Sequence, residues 1–258
     1  MANQIFLTPI PLKKGDVVSI VGSGGKTTLM YQLVRELTTK GLRVITTTTT
    51  KIFPPLSSES SRLVIADHED SLLDKAQELL KKEHHITLAE KFIGLKLKGI
   101  SPQLVDTMKE QKIADVIVIE ADGARGCPLK APNETEPVIP SSTTWTLTVV
   151  GLDGIGKRNT EDYVFRPDYF SRLTGVNIGE AITPEAVSRI ILHPEGITRG
   201  TPEKAGIAVI LNKGEISNGL DIGKKIASSV MKEKKKAIVK VLITSFIPFP
   251  KVLAIFNS

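Results

Sequence analysis

Between Gly22 and Thr28 the chain reads Gly22-Ser23-Gly24-Gly25-Lys26-Thr27-Thr28, three glycines followed by a lysine and two hydroxyls. Glycines let backbone N–H groups close on a polyphosphate, a lysine just beyond them reaches the β and γ phosphates, and a hydroxyl next to it faces Mg²⁺. Gly22, Ser23, Gly24, Gly25, Lys26, Thr27 and Thr28 are therefore the expected nucleotide-binding residues, with Lys26 also neutralising charge during catalysis. The spacing GxxGKT is two residues shorter than the common GxxxxGKT, so the wrap round the β-phosphate is shorter as well. A lysine at a helix start opposes the macrodipole and costs a few tenths of a kcal/mol unless an anion compensates it.

A second group follows the apolar run Val116-Ile117-Val118-Ile119, which leads directly into Glu120-Ala121-Asp122-Gly123-Ala124-Arg125. Carboxylates at the carboxyl end of a buried strand can complete a shell of hard oxygens round Mg²⁺. Glu120 is the first choice for the metal beside Thr27, and Asp122 is a further metal ligand or the group that orients water. Arg125 is expected to stabilise charge on a transferring phosphoryl group, as an arginine supplied in cis. The run Thr46–Thr50 ends another strand pattern, and Thr49 and Thr50, with Lys51 next to them, are the expected contacts to the γ-phosphate. Asn212-Lys213-Gly214-Glu215, after the apolar run 207–211, resembles the guanine-reading NKxD pattern with Glu in place of Asp. Asn212 and Lys213 are accordingly assigned to the base, with ATP and GTP both open. Cys127 could carry sulfur or selenium only if a neighbour such as Arg125 or Lys130 lowered its pKa.

These groups need an α/β frame to position them. Val17–Val21 is a short apolar run bounded by Asp16 and Gly22, and from Lys26 onward Leu29, Met30, Leu33, Val34 and Leu37 recur at helical spacing up to Lys40-Gly41. Strand, glycine loop and helix thus follow in order. Further strands are expected at 42–50, 63–66, 116–119, 145–149, 207–211 and 238–243. Further helices are expected over Leu72–Leu80 and after Ser101-Pro102 and Thr183-Pro184-Glu185, with His84-His85 as a helix end. Repeated βα order predicts a doubly wound, mostly parallel sheet of the P-loop NTPase kind, as one domain over 1–258 with a lobe boundary available in the proline-rich stretch 128–140.

Composition sets the limits. The 258 residues are 41% hydrophobic and 24% charged, enough for a full core. Of 34 basic and 28 acidic residues, 18 and 15 fall by Lys130, so the excess of +6 is spread along the chain and nucleic acid is not an expected partner. The cluster Lys232, Lys234, Lys235 and Lys236 reads as the solvated end of a helix. No uncharged apolar run approaches the ~18 residues of a membrane span, and the opening residues make a poor secretion signal, which points to the cytoplasm. One cysteine excludes an internal disulfide framework, and His68, His84, His85 and His193 stand at no zinc-ligand spacing.

Taken together, IVGSGGKTTLMYQL, TTTTKIFPP, VIEADGARGCPLKAP with EPVIP, VVGLDGIGK, FRPDYFSRLTG, HPEGITRGTP and NKGE resemble the YqeC family of selenium-dependent hydroxylase accessory proteins. The short loop alone also resembles that of Mur-type ATP-dependent ligases. The YqeC resemblance implies a cytoplasmic factor that assists maturation of selenium-dependent molybdenum hydroxylases, acting on their selenium-containing cofactor, with the hydroxylase or its cofactor-assembly machinery as partner. The residues themselves imply a Mg²⁺-dependent, nucleoside-triphosphate-binding protein, expected to hydrolyse ATP or GTP. A ligase or kinase acting on a small substrate, and a binding module that does not hydrolyse its nucleotide, are the two alternatives.

Overall fold

The apolar run after Asp16 becomes β1 (Asp16–Gly22), every residue of which is buried. This is seen in a computed structural model that describes residues 5–60, 62–233 and 237–258. Met1–Gln4 and Lys234–Lys236 lie outside the described residues. The chain divides into two compact units, the first made of residues up to Ile20, Thr27–Gly123 and Val138–Trp145, the second of Val21–Lys26, Ala124–Pro137 and everything from Thr146.

In the first unit β1 is followed by α1 (Lys26–Thr39), β2 (Val44–Thr48), β3 (Lys51–Ile52), β4 (Leu63–Ile65), α2 (Glu69–Leu79), β5 (His85–Ala89), β6 (Lys91–Ile93), β7 (Lys96–Lys98), α3 (Pro102–Glu110) and β8 (Val116–Glu120). α1 stops where the sequence puts a glycine: Gly41 has φ +76° and its N–H bonds the Thr38 carbonyl. α3 starts as its sequence predicts, with the Ser101 hydroxyl accepting from the Leu104 N–H and Pro102 in the first turn. The strands lie in the order β1–β8–β2–β5–β4, all parallel. β8 is inserted between β1 and β2, so Glu120 stands level with Ile20 on one side and Thr48 on the other. Both neighbours shield it, and β8 is buried throughout, as an apolar central parallel strand must be. A small antiparallel sheet, β3–β7–β6, makes up the rest.

The second unit carries β9 (Leu129–Lys130), β10 (Trp145–Gly151), a 3₁₀ turn at Leu152–Gly154, β11 (Val164–Phe165), α4 (Pro167–Thr174), α5 (Pro184–Leu192), β12 (Gly206–Asn212), α6 (Gly219–Lys232), β13 (Ile238–Ser245) and β14 (Lys251–Asn257). Its main strands run β10–β12–β13–β14, with β12 and β13 parallel and β14 antiparallel at the edge. Phe170 and Leu173 of α4, Ile190 and Ile191 of α5 and Ile226 of α6 join Val209, Leu211 and Val241 in its core. The predicted cap is present here too, the Thr183 hydroxyl accepting from the Ala186 N–H at the start of α5. Lys232 closes α6, as expected of a cationic helix end.

The α/β class and the mostly parallel sheet are as the sequence leads one to expect. Two local readings are corrected. His84-His85 is no helix end: α2 is capped at Leu80, and His85 opens the buried strand β5. The single strand expected over 42–50 is shorter, because Thr49 and Thr50 turn away between β2 and β3.

Candidate functional site

At the end of β1 the loop 22–25 leads straight into α1, whose first residue is Lys26. Its shape requires glycine at two places. Gly22 has φ +94°, and a Cβ there would collide with the Val149 carbonyl. Gly25 has φ +140°, and a Cβ would come within 2.5 Å of the Asn212 amide nitrogen. Ser23 is turned inward: its N–H bonds the Val149 carbonyl at 2.9 Å and its hydroxyl donates to the Pro128 carbonyl at 2.8 Å. Ser23 therefore anchors the loop to two other segments of the second unit. The Lys26 side chain folds back over the loop, Nζ donating to the Gly22 carbonyl at 2.9 Å, with the residue 5% exposed. No acidic residue stands in the first turn of α1, so the positive end of the helix meets no carboxylate of its own.

Thr27, the next residue, donates its hydroxyl to Glu120 Oε2 at 2.7 Å. β8 brings Glu120 there by its register, and the residue is 8% exposed. Two cis oxygens of an octahedral Mg²⁺ shell with ligands at 2.0–2.1 Å are about 3 Å apart, so this hydroxyl–carboxylate pair fits such an ion with little adjustment. A Mg²⁺ ion takes one or two carboxylates and completes its shell with phosphate oxygens and water. Among the described residues no group of three His, Cys, Asp or Glu is placed to hold a metal. Asp122 lies two residues past Glu120 and is almost completely buried.

The threonine run is used largely inside the sheet. Thr46 Oγ1 shares hydrogen bonds with His85 Nε2 at 2.9 Å and Thr87 Oγ1 at 2.8 Å, Thr47 donates to the Leu88 carbonyl, and Thr48 donates to the Glu120 carbonyl at 2.7 Å. Burial lowers the His85 pKa to about 4, which leaves it neutral at pH 7. Of the two expected phosphate contacts, Thr49 donates to the Val138 carbonyl at 2.6 Å and Thr50 meets Thr48 Oγ1 at 3.3 Å. Both are partly exposed, while Lys51 is exposed on β3.

Asn212 and Lys213 close β12 beside the loop. The Asn212 side-chain amide donates to the Gly24 carbonyl at 2.8 Å, and its oxygen accepts from the Thr244 hydroxyl at 3.3 Å. It braces the glycine loop. Lys213, with φ +68°, pairs with Asp153 at 2.6 Å. The carboxylate that reaches Lys213 thus comes from the GLDG turn, while Glu215 is exposed. Asp153, missed in the sequence, lies 60 residues away, and only the juxtaposition of β10 and β12 links the two.

Arg125 takes φ +49° and lays its guanidinium over the Phe165 ring, 5.1 Å from the centroid. Cys127 is buried with Sγ against the Glu161 carbonyl at 3.4 Å. Burial pushes its thiol pKa up and Arg125 does not reverse this, so the condition for an activated carrier thiol is not met.

The family model described as YqeC protein matches residues 18–168, which include the glycine loop, Glu120, Arg125 and Phe165. This chain belongs to the YqeC family. Uncharacterized protein YqeC of Escherichia coli (strain K12) is 34% identical over 191 residues, or 74% of this chain and 73% of that protein. Among solved structures, the signal recognition particle receptor FtsY from Elizabethkingia anophelis is similar over 93% of this chain and 61% of its own, at 13% identity and a TM-score of 0.42. The chain therefore spans less than two thirds of that receptor. HypB from Helicobacter pylori, solved in complex with nickel, is similar over 89% of this chain and 78% of its own, at 12% identity and a TM-score of 0.36. No helix among the described residues of this YqeC-family chain is long and apolar enough to cross a membrane.

Proposed function

We propose that this YqeC-family chain binds a nucleoside triphosphate with Mg²⁺ and hydrolyses it, and that the cycle serves maturation or insertion of the selenium-containing molybdenum cofactor of selenium-dependent hydroxylases. The observation that carries the nucleotide reading is the sequence of contacts at the start of α1: a buried lysine folded over a glycine loop, followed at once by a hydroxyl 2.7 Å from a strand-end carboxylate. With a triphosphate bound, Lys26 swings from the Gly22 carbonyl to phosphate oxygens, and loop N–H groups take up the rest of the charge.

Thr27 and Glu120 are the residues that would hold Mg²⁺, which when bound offsets charge on the phosphate oxygens. Asp122 accepts a hydrogen bond from water and orients it. Asn212 keeps the Gly24 carbonyl fixed, so the loop stays open for the anion rather than collapsing on it. ATP and GTP both fit this description. The role in hydroxylase maturation rests on the family resemblance, and the cytoplasmic setting follows from that role.

Calorimetric titration with ATP and GTP tests the first part. Binding that needs Mg²⁺ and falls at least about tenfold in Thr27→Ala and Glu120→Gln supports the reading, because each variant removes one charge-assisted ligand. Binding unaffected by either substitution contradicts it. The second part is tested in cells deleted for the gene: native protein should restore selenium-dependent hydroxylase activity and Lys26→Ala should not.

A further inference from the structure

The small antiparallel sheet of the first unit, β3–β7–β6, has β6 as an outer edge. β6 and β7 are joined by the two residues Gly94 and Leu95, with Gly94 at φ +59° as so tight a turn requires. Turns of this kind favour small or polar residues, yet Leu95 stands at the tip 84% exposed. Phe53, Phe92 and Ile93 are exposed as well, and no residue of β6 is covered. Ile52 and Leu97, by contrast, are buried and fasten the sheet to the fold.

The register sorts the remaining side chains into rows. Lys51, Lys98 and Lys91 stand directly opposite one another across the three strands. Like charges so placed destabilise a sheet. Glu90 offsets part of this, meeting Lys98 at 2.6 Å and Lys91 at 3.5 Å, while Lys51 pairs with no carboxylate among the described residues. Two residues nearer the turn, ~7 Å along the strands, Lys96 stands opposite Ile93 and lays its ammonium 4.8 Å from the centroid of the Phe53 ring. Over residues 51–56 and 90–98, four lysines stand against one glutamate. Glu59, the next carboxylate along the chain, is turned onto the Leu56 N–H at 2.9 Å.

We infer that the β6–β7 turn docks on an anionic lipid bilayer, with Leu95 and Ile93 entering the acyl boundary and the lysines standing at the level of the lipid phosphates. The layering along the hairpin carries the inference. Apolar side chains form the tip and lysines stand one row behind, a step of ~7 Å that matches the ~5–10 Å to which interfacial segments sink. Lysine stems lie along apolar surface while their ammonium groups reach outward, so Lys96 can cover Phe53 and still meet a phosphate. A second copy of this chain fits the surface poorly, because it would set one lysine row against another. A protein partner would bury one face of the sheet, whereas β6 exposes Ile93 on one face and Phe92 on the other. Apolar tip and basic row are the two signals that stable attachment to a membrane needs. This surface is independent of the nucleotide reading, and Lys26→Ala protein should bind lipid as the native protein does.

The probe is co-sedimentation of the full chain with vesicles of phosphatidylcholine alone and of phosphatidylcholine with an equal part of phosphatidylglycerol. Binding to the anionic vesicles is expected at millimolar lipid, at least about tenfold tighter than to the neutral ones, and weaker again in 0.5 M salt. Leu95→Ser, at an exposed position, should weaken it at least about fivefold, and Lys51→Gln with Lys96→Gln about tenfold or more. Leu95→Trp should shift its emission to the blue on anionic vesicles, which mere adsorption of a basic protein would not produce. Equal binding to both vesicles, no binding at millimolar lipid, or binding that Leu95→Ser leaves unchanged overturns the proposal. Silent vesicles together with a Leu95→Ser variant that no longer restores hydroxylase activity in cells would assign the surface to a protein instead, and overturn the lipid reading too.

Discussion

Thr27 and Glu120 show how one contact can be worth more than its hydrogen bond. Their 2.7 Å separation unites the helix start with the end of β8, and its chemistry was visible in two short motifs because each motif is local. What the motifs did not show is how their neighbours are employed. Asn212 is the clearest example: its pattern suggests a base contact, yet its amide donates to the Gly24 carbonyl. Asn212→Ala is therefore expected to weaken ATP and GTP by a similar factor, about three- to tenfold for one lost hydrogen bond, as read by calorimetry. A selective loss of one nucleotide would restore Asn212 to the base. Gly25→Ala has a larger expected effect, since its Cβ would press on that amide from a φ of +140°. Nucleotide binding should fall below detection while circular dichroism stays native.

Elements supply the register that motifs lack. The insertion of β8 between β1 and β2 brings Glu120 level with Ile20, and no spacing along the chain encodes that order. β5 escaped the sequence reading for a related reason: HITLA is five residues long, and its polar members find their partners in distant segments, His85 and Thr87 on Thr46 across the sheet. β14, by contrast, alternates between exposed and half-buried positions in a legible way, although the sequence reading stops at Ile243. The burial of His85 has a measurable consequence. Its folded pKa of about 4 lies below the ~6.5 of an unfolded chain, so between these values the unfolded state binds more protons. The stability from neutral His85 is complete above about pH 6.5 and is lost as pH falls towards 4. Denaturant unfolding should show a loss of about 2 kcal/mol from this group between pH 7 and pH 5. His85→Gln should show a correspondingly shallower dependence.

At the scale of the whole molecule, the chain returns repeatedly to a few short segments. Residues 120–137 supply the strand-end carboxylate, the loop's Pro128 anchor and the Lys130–Glu136–Arg166 ion pairs. Burial alone would raise the Glu136 pKa, but hydrogen bonds from Arg166 and Lys130 outweigh it and hold the carboxyl below its usual range. Removing that charge in Glu136→Gln breaks the ion pairs to Lys130 and Arg166 and should cost about 3 kcal/mol in denaturant unfolding. The α/β class was legible because apolar strands and periodic helices alternate along the chain. The ion pairs were not, because Glu136 and Arg166 stand 30 residues apart and the segments that hold them, EPVIP and FRPDYFSRLTG, carry no signal that they meet.

The central claim is that the glycine loop holds a triphosphate, and thermal unfolding with ATP, GTP, ADP and GDP, each with and without Mg²⁺, tests it most directly. A Mg²⁺-dependent rise in Tm of several degrees with a triphosphate, lost in Lys26→Ala while that variant still unfolds cooperatively, is the predicted result. No rise with any nucleotide at millimolar concentration, or an equal rise in Lys26→Ala, would contradict the account.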